Sequence, residues 1–234
     1  MTVYWAYAPV PDLKNSEIAC RTASTELKQA GHFHDQAQIA VVMEGWRSFT
    51  TALGTYIARR GDIAVIPPRM FHTPSMEARS AVSILYLDAS HPIARAVREP
   101  AIIDGQGAEH WLDVLDRVGS ALPSQVAEQE IASHKVISLV VETRLSVRQI
   151  AEELDLTPDG FIRCFAKTVG ATPAKYRIAH RLTIARKMLR EGSMPADAAY
   201  AAGFADQSHL GRCFLKAYGT TPAAYRTTWR HDPG

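Results

Sequence analysis

A segment of 21 residues occurs twice in the C-terminal half of this chain. Residues 157–177 read TPDGFIRCFAKTVGATPAKYR and residues 206–226 read DQSHLGRCFLKAYGTTPAAYR, so ten of the 21 aligned positions are identical. A repeat at a spacing of 49 residues indicates that one supersecondary unit is used twice. Any fold for this part of the chain must therefore contain two similar units in succession.

Helix start and stop signals surround each copy. Ser146 and Gln149 have the spacing of a capping box, in which each side chain bonds the exposed amide of the other residue. Thr157 is followed by proline, a combination that begins helices, and a glycine follows where that helix would end. We therefore predict helix, tight turn and helix over Ser146–Thr168, and the repeat predicts the same over Pro195–Tyr218.

A long helix is predicted between the two units. Thr172, followed by proline, begins it, and its pattern continues to about Arg190, where a glycine two residues later stops it. Roughly 18 residues at about 1.5 Å each span about 27 Å, close to the roughly 34 Å between successive major-groove faces on one side of B-DNA. One chain can therefore place both second helices on adjacent groove segments. Shorter helices are predicted over Ile131–Val141 and after Thr221.

The second helix of each unit has a polar outer face, as expected of a helix that lies in a DNA groove. The outward positions are Asp159, Arg163, Lys167, Gln207, Ser208, His209, Arg212 and Lys216. Arginine can pair with guanine and glutamine with adenine, whereas Lys167 and Lys216, one turn further along, are placed for phosphates. We therefore predict double-stranded DNA as the partner. The inner faces are apolar, with Ile150, Leu154, Phe161, Phe165, Ala199, Leu210 and Phe214.

Charge is distributed unevenly between the two halves. Residues 1–130 contain 11 Lys and Arg against 15 Asp and Glu, whereas residues 131–234 contain 15 against 9. A basic half joined to an acidic half is expected when only one half contacts a polyanion.

The first 90 residues have the pattern of short strands. Alternating or apolar runs separated by turn residues occur at Gln38–Met43, Ser48–Leu53, Tyr56–Ala58, Ile63–Ile66 and Ala81–Leu87. They predict an antiparallel barrel or sandwich. From Ile93 to Val118 the pattern becomes helical, and Ala121–Gln125 resembles a linker. The predicted organisation is a multidomain α+β fold: residues 1–90 as a barrel, 91–128 as a helical dimerisation or linker segment, and 129–234 as the helical DNA-binding domain.

The predicted barrel contains a group of histidines that can lie close together. His32 and His34 are two residues apart, so they share one face of a strand, and Gln38 and His72 can join them. Three imidazoles and an amide oxygen can bind a divalent transition metal such as Zn²⁺, Ni²⁺, Cu²⁺ or Fe²⁺. The same groups can instead line a pocket for an organic effector, or make hydrogen bonds that only stabilise the barrel. Candidate apolar walls of such a pocket are Phe33, Met43, Trp46 and Tyr56.

The helical half resembles the AraC/XylS family of bacterial transcription regulators. The matching residues are Ala202-Gly203-Phe204, Asp206-Gln207-Ser208-His209-Leu210, Arg212, Phe214, Gly219, Thr221-Pro222 and Tyr225-Arg226, with Arg181–Arg186 in the connecting helix. This resemblance implies that bases are contacted by Asp159, Ile162, Arg163, Gln207, Ser208 and Arg212. Two departures are Gly160, which lies inside the first reading helix, and Asp155, which stands in the turn where the family often has glycine.

The N-terminal half resembles the cupin barrel. The residues that match its two motifs are His32, His34, Gly45, Gly61, Pro67 and His72. Gln38 stands where the first motif has glutamate, Arg69 replaces a glycine of the second, and the first motif's leading glycine is not at its usual place. Cupin sensory domains are common in AraC-like regulators, so the two resemblances support each other.

Together these patterns predict an effector-responsive transcription regulator that forms a homodimer and is not an enzyme. RNA polymerase is a further candidate partner. The alternatives are a metal-dependent cupin enzyme fused to a DNA-binding domain and a constitutive DNA-binding protein with a structural barrel. No apolar run approaches 18 residues and no secretory signal is visible, so neither a membrane span nor export is expected. Three widely spaced cysteines suit a reducing cytoplasm.

Overall fold

The computed structural model describes residues 4–11, 13–122, 131–142 and 145–229. The strands are β1 (Tyr4–Pro9), β2 (Glu17–Ala23), β3 (Leu27–Lys28), β4 (Ala37–Glu44), β5 (Trp46–Thr51), β6 (Gly54–Arg59), β7 (Asp62–Ile66), β8 (Thr73–Met76), β9 (Ser80–Leu87) and β10 (Ala101–Asp104). The helices are α1 (Pro92–Ala96), α2 (Trp111–Ala121), α3 (Ile131–Glu142), α4 (Val147–Glu153), α5 (Pro158–Val169), α6 (Pro173–Arg190), α7 (Pro195–Ala201), α8 (Gln207–Tyr218) and α9 (Pro222–Thr228). Most of the predicted linker Ala121–Gln125 lies outside the described residues.

The N-terminal domain consists of two antiparallel sheets, which gives the predicted cupin-like fold. One sheet has the strand order β1-β2-β9-β4-β7-β10 and the other β3-β8-β5-β6. Side chains of β2 alternate between buried and more exposed positions, which places Glu17, Ala19, Arg21 and Ala23 on its inner face. The predicted strands correspond to β4, β5, β6, β7 and β9, whereas the sequence patterns missed β1, β2, β3, β8 and β10.

The outer face of the six-stranded sheet is covered by α1 and α2. Leu85 and Leu87 of β9 pack there against Val114 and Val118 of α2. The segment from Ile93 to Val118, predicted to be helical, contains helical residues of α1 and α2 but also the unpredicted strand β10, which pairs with β7. α1 ends at Ala96, and Val97 is already extended. Pro100 then precedes β10, and a proline disfavours helix at the residue before it.

The helical domain confirms the predicted element boundaries. Ser146 and Gln149 form the capping box of α4, and Thr157 Oγ1 accepts from the Gly160 amide to cap α5, which ends at Gly170 with φ 83°. The connecting helix α6 has 18 residues. Six of the seven predicted inner-face residues are buried: Ile150, Phe161, Phe165, Ala199, Leu210 and Phe214. The seventh, Leu154, is half-buried.

The turn of the first helix-turn-helix unit contains a left-handed residue. Asp155 has φ 54°, and Gly203 has φ 76° at the corresponding helix end in the second unit. Glycine adopts this conformation without a Cβ penalty, and aspartate is one of the few other residues that tolerate it. Asp155 therefore keeps the turn geometry that glycine usually provides.

The helical domain closes the open end of the barrel. Tyr7 of β1 donates a hydrogen bond to the Tyr218 carbonyl at 2.9 Å, and Thr183 of α6 donates to the Phe33 carbonyl at 3.2 Å. One apolar cluster contains Tyr7 and Tyr86 from the barrel together with Leu182, Tyr218 and others from the helices. Within the described residues, none of the helices has the length and apolar character needed to cross a membrane.

Candidate functional site

The outer faces of α5 and α8 are open to solvent over most of the predicted reading positions. The exposed residues are Asp159, Arg163, Lys167, Gln207, Ser208, Arg212 and Lys216, and the half-buried ones are Ile162 and His209. The His209 ring packs edge-on against Phe204, with 5.3 Å between ring centroids. Because the N-terminal residues of a recognition helix contact base edges, the exposed first turns of α5 and α8 leave that surface accessible.

The C-terminal ends of the same two helices touch the barrel. A Cβ atom added at Gly170, the residue after α5, would lie 2.9 Å from the Ala52 amide nitrogen. One added at Gly219, after α8, would collide with Trp5 Nε1. Both reading helices therefore end in close backbone contact with the barrel domain, and glycine is the residue that permits it.

A crevice separates the barrel from α8 beside this contact. Its volume is about 490 Å³, and its lining residues are Lys28, Gln29, Ala30, Leu215, Lys216 and Gly219. The Lys216 carbonyl accepts from the Ala30 amide at 2.9 Å, so the backbone of α8 is tied to the barrel here. The Lys216 side chain remains exposed, and its contact with DNA phosphates stays a prediction.

The predicted histidines come together at the barrel opening. His32, His34 and His72 are 3%, 3% and 1% exposed, and their nearest ring nitrogens lie within 4.8 Å of one another. His32 and His72 also exchange backbone hydrogen bonds of 3.0 and 2.9 Å. The Nδ1 atoms of these two rings bond the carbonyls of Ala30 and Met70, which leaves an unprotonated Nε2 on each.

These imidazoles are neutral near pH 7. Burial lowers the pKa of His32 to about 4, despite the hydrogen bond that it donates to Ala30. Burial and the adjacent histidines hold the pKa of His34 and that of His72 well below the usual range. The cluster therefore offers neutral hydrogen-bonding nitrogens rather than positive charges.

Two arginines already bind two of the four candidate metal ligands. The Gln38 amide oxygen accepts two hydrogen bonds from Arg47, at 3.0 and 3.2 Å. In the same orientation its amide nitrogen donates to His72 Nε2 at 3.2 Å. A guanidinium nitrogen of Arg186 contacts His34 Nδ1. For His34 to ligate a metal through Nε2, its proton would have to sit on Nδ1 and face the Arg186 N–H group. The residues present therefore fit a metal poorly unless Arg47 and Arg186 move.

The barrel interior contains two buried arginines that sequence patterns did not single out. Arg21 and Arg47 are 2% and 3% exposed. Arg21 donates to Gln29 Oε1 at 2.9 Å and lies 4.9 Å from the Trp5 ring centroid. The alternation of β2 would have marked Arg21 as inward-facing had that strand been recognised, because it lies between the inward residues Ala19 and Ala23.

The four predicted pocket walls are placed differently. Phe33 is buried, but it stacks on Tyr176 of α6, with 4.9 Å between ring centroids, and so belongs to the interdomain contact. Met43 is 58% exposed, so it does not enclose a pocket. Trp46 is half-buried, and Tyr56 is half-buried and stacks on Phe49.

Comparison with known proteins gives the same two-part organisation. The family described as AraC-like ligand binding domain matches residues 18–135, half of the chain, and the family described as helix-turn-helix domain matches residues 150–228. The uncharacterized HTH-type transcriptional regulator YbfI of Bacillus subtilis (strain 168) is 24% identical over 224 residues, which cover 78% of this chain and 82% of the relative.

Solved structures of ToxT from Vibrio cholerae have a similar fold. ToxT of strain O395 gives a TM-score of 0.59 at 12% identity, covering 94% of this chain and 100% of the other. ToxT of strain SCE256 with a bound unsaturated fatty acid gives 0.58 at 12% identity, covering 97% and 96%. With one family matching the barrel and another matching the repeated helical units, this chain belongs to the AraC family, as a DNA-binding transcription regulator with an N-terminal ligand-binding domain.

Proposed function

We propose that this regulator reads DNA with the exposed faces of α5 and α8, and that a small molecule in the barrel opening controls how those helices are presented. The observation that carries the proposal is that both reading helices end against the barrel, at Gly170 and Gly219. A ligand that changes the barrel opening therefore acts on the positions of the helices themselves. No long-range transmission through the linker is required.

The proposed base contacts are those of Asp159, Ile162, Arg163, Gln207, Ser208 and Arg212, with Lys167 and Lys216 on phosphates. Exposure of the arginines, lysines, Gln207 and Ser208 supports these roles. His209 is the weakest candidate, because its ring packs against Phe204. The second unit, with Gln207 and Arg212 on its face, offers more groups suited to base edges than the first.

Selection of binding sites from a random duplex library tests the proposal. The purified chain should enrich one sequence whose two parts are separated by about one helical turn, because α6 spaces the two reading helices. Arg212→Ala should bind that sequence more weakly, whereas Arg60→Ala, which changes an exposed arginine of the barrel, should bind it normally. Enrichment of no sequence, or equal loss in both variants, would argue against these reading faces.

A resident transition metal is a second candidate, because the three histidines offer ring nitrogens within 4.8 Å. Metal analysis of protein purified without chelators tests it. About one equivalent of metal that is lost in His32→Ala would establish a metal site and reopen the question of cupin enzyme activity. Arg186 contacts His34 and Arg47 donates to Gln38, so two of the four candidate metal ligands already have partners. This favours an organic effector and a protein without catalytic activity.

We further propose that the protein forms a homodimer, contacts RNA polymerase and is located in the cytoplasm. The proposed dimer contact is at α2, where Leu112 is 75% exposed. Leu112→Glu should shift the sedimenting species from dimer to monomer, whereas Leu53→Glu, at another exposed leucine of the barrel domain, should not. The pairing of β10 with β7 supports a barrel domain that extends beyond residue 90 to the end of α2.

A further inference from the structure

We propose that the effector is an organic anion whose carboxylate is bound by Arg21 and Arg47 inside the barrel. This inference rests on the proposed function of the barrel as the effector site, and it adds the chemical class of the ligand. It depends on four observations: the burial of both arginines, the absence of an acidic partner for them among the described residues, the unpaired donor groups around them, and a hydrogen-bonded path to α8.

Both guanidinium groups are buried and incompletely bonded. Arg21 uses one nitrogen to donate to Gln29, while its Nε and Nη2 have no partner among the described residues. Arg47 uses both terminal nitrogens on the Gln38 oxygen, while its Nε has none. A buried charge without a counter-charge is strongly unfavourable. Burial, and next the charge of Arg47, lower the pKa of Arg21 to about 10, and burial lowers that of Arg47 to about 10.

No acidic side chain neutralises this pair. Within the described part of the chain, no carboxylate oxygen lies within 4.0 Å of either guanidinium. Glu17 is the buried carboxylate of the barrel, and it pairs with Arg186 instead. Since the neighbouring histidines are neutral, the interior around Arg21 and Arg47 carries an unbalanced positive charge. A divalent cation would increase that imbalance, whereas a carboxylate would remove it.

The other buried and unpaired side-chain groups in the described residues are also hydrogen-bond donors. They are Trp5 Nε1, His34 Nε2 and the Tyr218 hydroxyl. The guanidinium carbon of Arg21 lies 4.9 Å from the centroid of the Trp5 ring. The centroids of the His34 and Tyr218 rings are 5.6 Å apart. His34 Nε2 is a donor because its Nδ1 accepts from Arg186. These donors suit a ligand group that only accepts hydrogen bonds, which is the chemistry of a carboxylate.

A hydrogen-bonded path joins this arginine pair to a DNA-reading helix. Gln29 Oε1 accepts from Arg21, and Gln29 Nε2 donates to the Ala217 carbonyl in the last turn of α8 at 2.8 Å. Gln29 also lines the crevice between the barrel and α8, so the partner of Arg21 lies at this crevice. A carboxylate on Arg21 competes with the Gln29 oxygen for the guanidinium, so binding loosens one of the contacts that hold α8.

Thermal unfolding with charged and neutral forms of the same probe tests the inference. The probes are benzoate with benzamide and hexanoate with hexanamide, at constant ionic strength and neutral pH. We expect the carboxylates to raise the unfolding temperature in proportion to concentration and the amides to leave it unchanged. Equal stabilisation by carboxylate and amide, or stabilisation by neither, would overturn the assignment of an anionic ligand.

Arginine variants separate ligand binding from a structural role. Arg47→Met and Arg21→Met should weaken carboxylate binding by about tenfold or more, whereas Arg60→Met at the surface should bind as the wild type does. Without probe, Arg21→Met should unfold at no lower temperature than the wild type, because it removes an unpaired buried charge. Lower stability of Arg21→Met, combined with an unchanged carboxylate response, would make the arginines structural and contradict the inference.

Binding of the selected DNA sequence, measured on the same samples, distinguishes this inference from the proposed function. Arg60→Met should bind DNA as the wild type does with and without probe, whereas Arg21→Met, which lacks the bond to Gln29, should have without probe the DNA affinity that the carboxylate produces in the wild type. Normal DNA binding without any carboxylate effect would refute the anionic effector and leave the regulator intact. Failure of the wild type to select any DNA sequence would count against the proposed function itself, whatever the probes do.

Discussion

Glu17 of β2 and Arg186 of α6 form an ion pair that is buried between the barrel and the connecting helix. Glu17 is 0% and Arg186 3% exposed. Tyr225 of α9 completes the arrangement: its hydroxyl donates to Glu17 Oε2 at 2.7 Å and accepts from Arg186 Nε at 3.1 Å. Trp229 Nε1 also donates to Glu17, at 3.2 Å. The single carboxylate therefore holds groups from the connecting helix and from the C-terminal end of the helical domain against the barrel.

Removal of this carboxylate should destabilise the protein strongly. Glu17→Gln leaves Arg186 buried without a counter-charge, at an expected cost of about 3–5 kcal/mol in the free energy of unfolding. Urea unfolding followed by tryptophan fluorescence measures it, because Trp5 and Trp229 lie at this interface. Glu77→Gln, on an exposed glutamate, is the matched control. Equal stability of the two variants would show that the ion pair does not hold the domains together.

The buried histidines should make stability depend on pH below neutrality. In the folded chain the pKa of His32 is about 4, and that of His34 and that of His72 are also lowered, whereas in the unfolded chain each is about 6.5. Between these values the unfolded chain binds more protons, so the free energy of unfolding falls as the pH decreases from about 6.5 towards about 4, by up to about 1.4 kcal/mol per pH unit for each histidine.

Unfolding temperatures measured from about pH 7 to about pH 5 check this dependence. His32→Asn should show a smaller decrease than the wild type, because one titrating group is gone while the amide can still donate to Ala30. His91→Asn is the control, since asparagine preserves the N-cap of α1 that His91 forms. A wild-type curve that is flat over this range would mean that the histidines are not buried as neutral groups.

Arginine and lysine variants of the reading helices should affect DNA binding in different ways. Arg212→Ala should cost about 1–3 kcal/mol on the selected sequence and relax preference at one base pair. Lys167→Ala should weaken binding to all sequences alike and reduce the slope of log affinity against log salt by about one. Fluorescence anisotropy over a salt series measures both, with Lys14→Ala in the barrel as control. A loss restricted to the specific site in Lys167→Ala would move that lysine from phosphate to base contact.

Gln29 should couple the barrel to α8 without forming the anion site. Gln29→Leu removes the bridge between Arg21 and the Ala217 carbonyl. We expect benzoate still to stabilise this variant, but to lose its effect on DNA affinity. Gln106→Leu, at an exposed position of the barrel domain, should keep both responses. A Gln29→Leu variant in which benzoate still changes DNA affinity would place the coupling elsewhere, for example at the Gly170 contact.

The turn residue Asp155 should be replaceable with a gain in stability. Its φ of 54° is unfavourable for residues with a Cβ atom, so Asp155→Gly should stabilise the first unit by up to about 1 kcal/mol. Glu153→Gly, two residues earlier at the last residue of α4, should instead destabilise it, by up to about 1 kcal/mol. Chemical denaturation of both variants checks the signs, and a loss of stability in Asp155→Gly would mean that its side chain has a role beyond the turn.

The helical domain could be predicted closely because its signals are local. Capping residues such as Ser146 and Thr157, and the glycines after α5 and α8, act within one or two turns of the helix they bound. The barrel was harder, because strands pair with distant residues. β1, β2 and β8 have no strong local pattern, and β10 joins the sheet only because β7 offers it an unpaired edge.

The sequence alone determined the repeated units, the spacing between them and the gathering of histidines at the barrel, since these depend on periodicity and on motif spacing. The tertiary structure decided which buried charges are balanced and which are not. Glu17 and Arg186 are 169 residues apart in the chain, and only folding brings them together and leaves Arg21 and Arg47 without an acidic partner among the described residues. Electrostatic pairing depends on the distance between two groups in space and on their burial, and neither quantity can be read from the order of the residues in the chain.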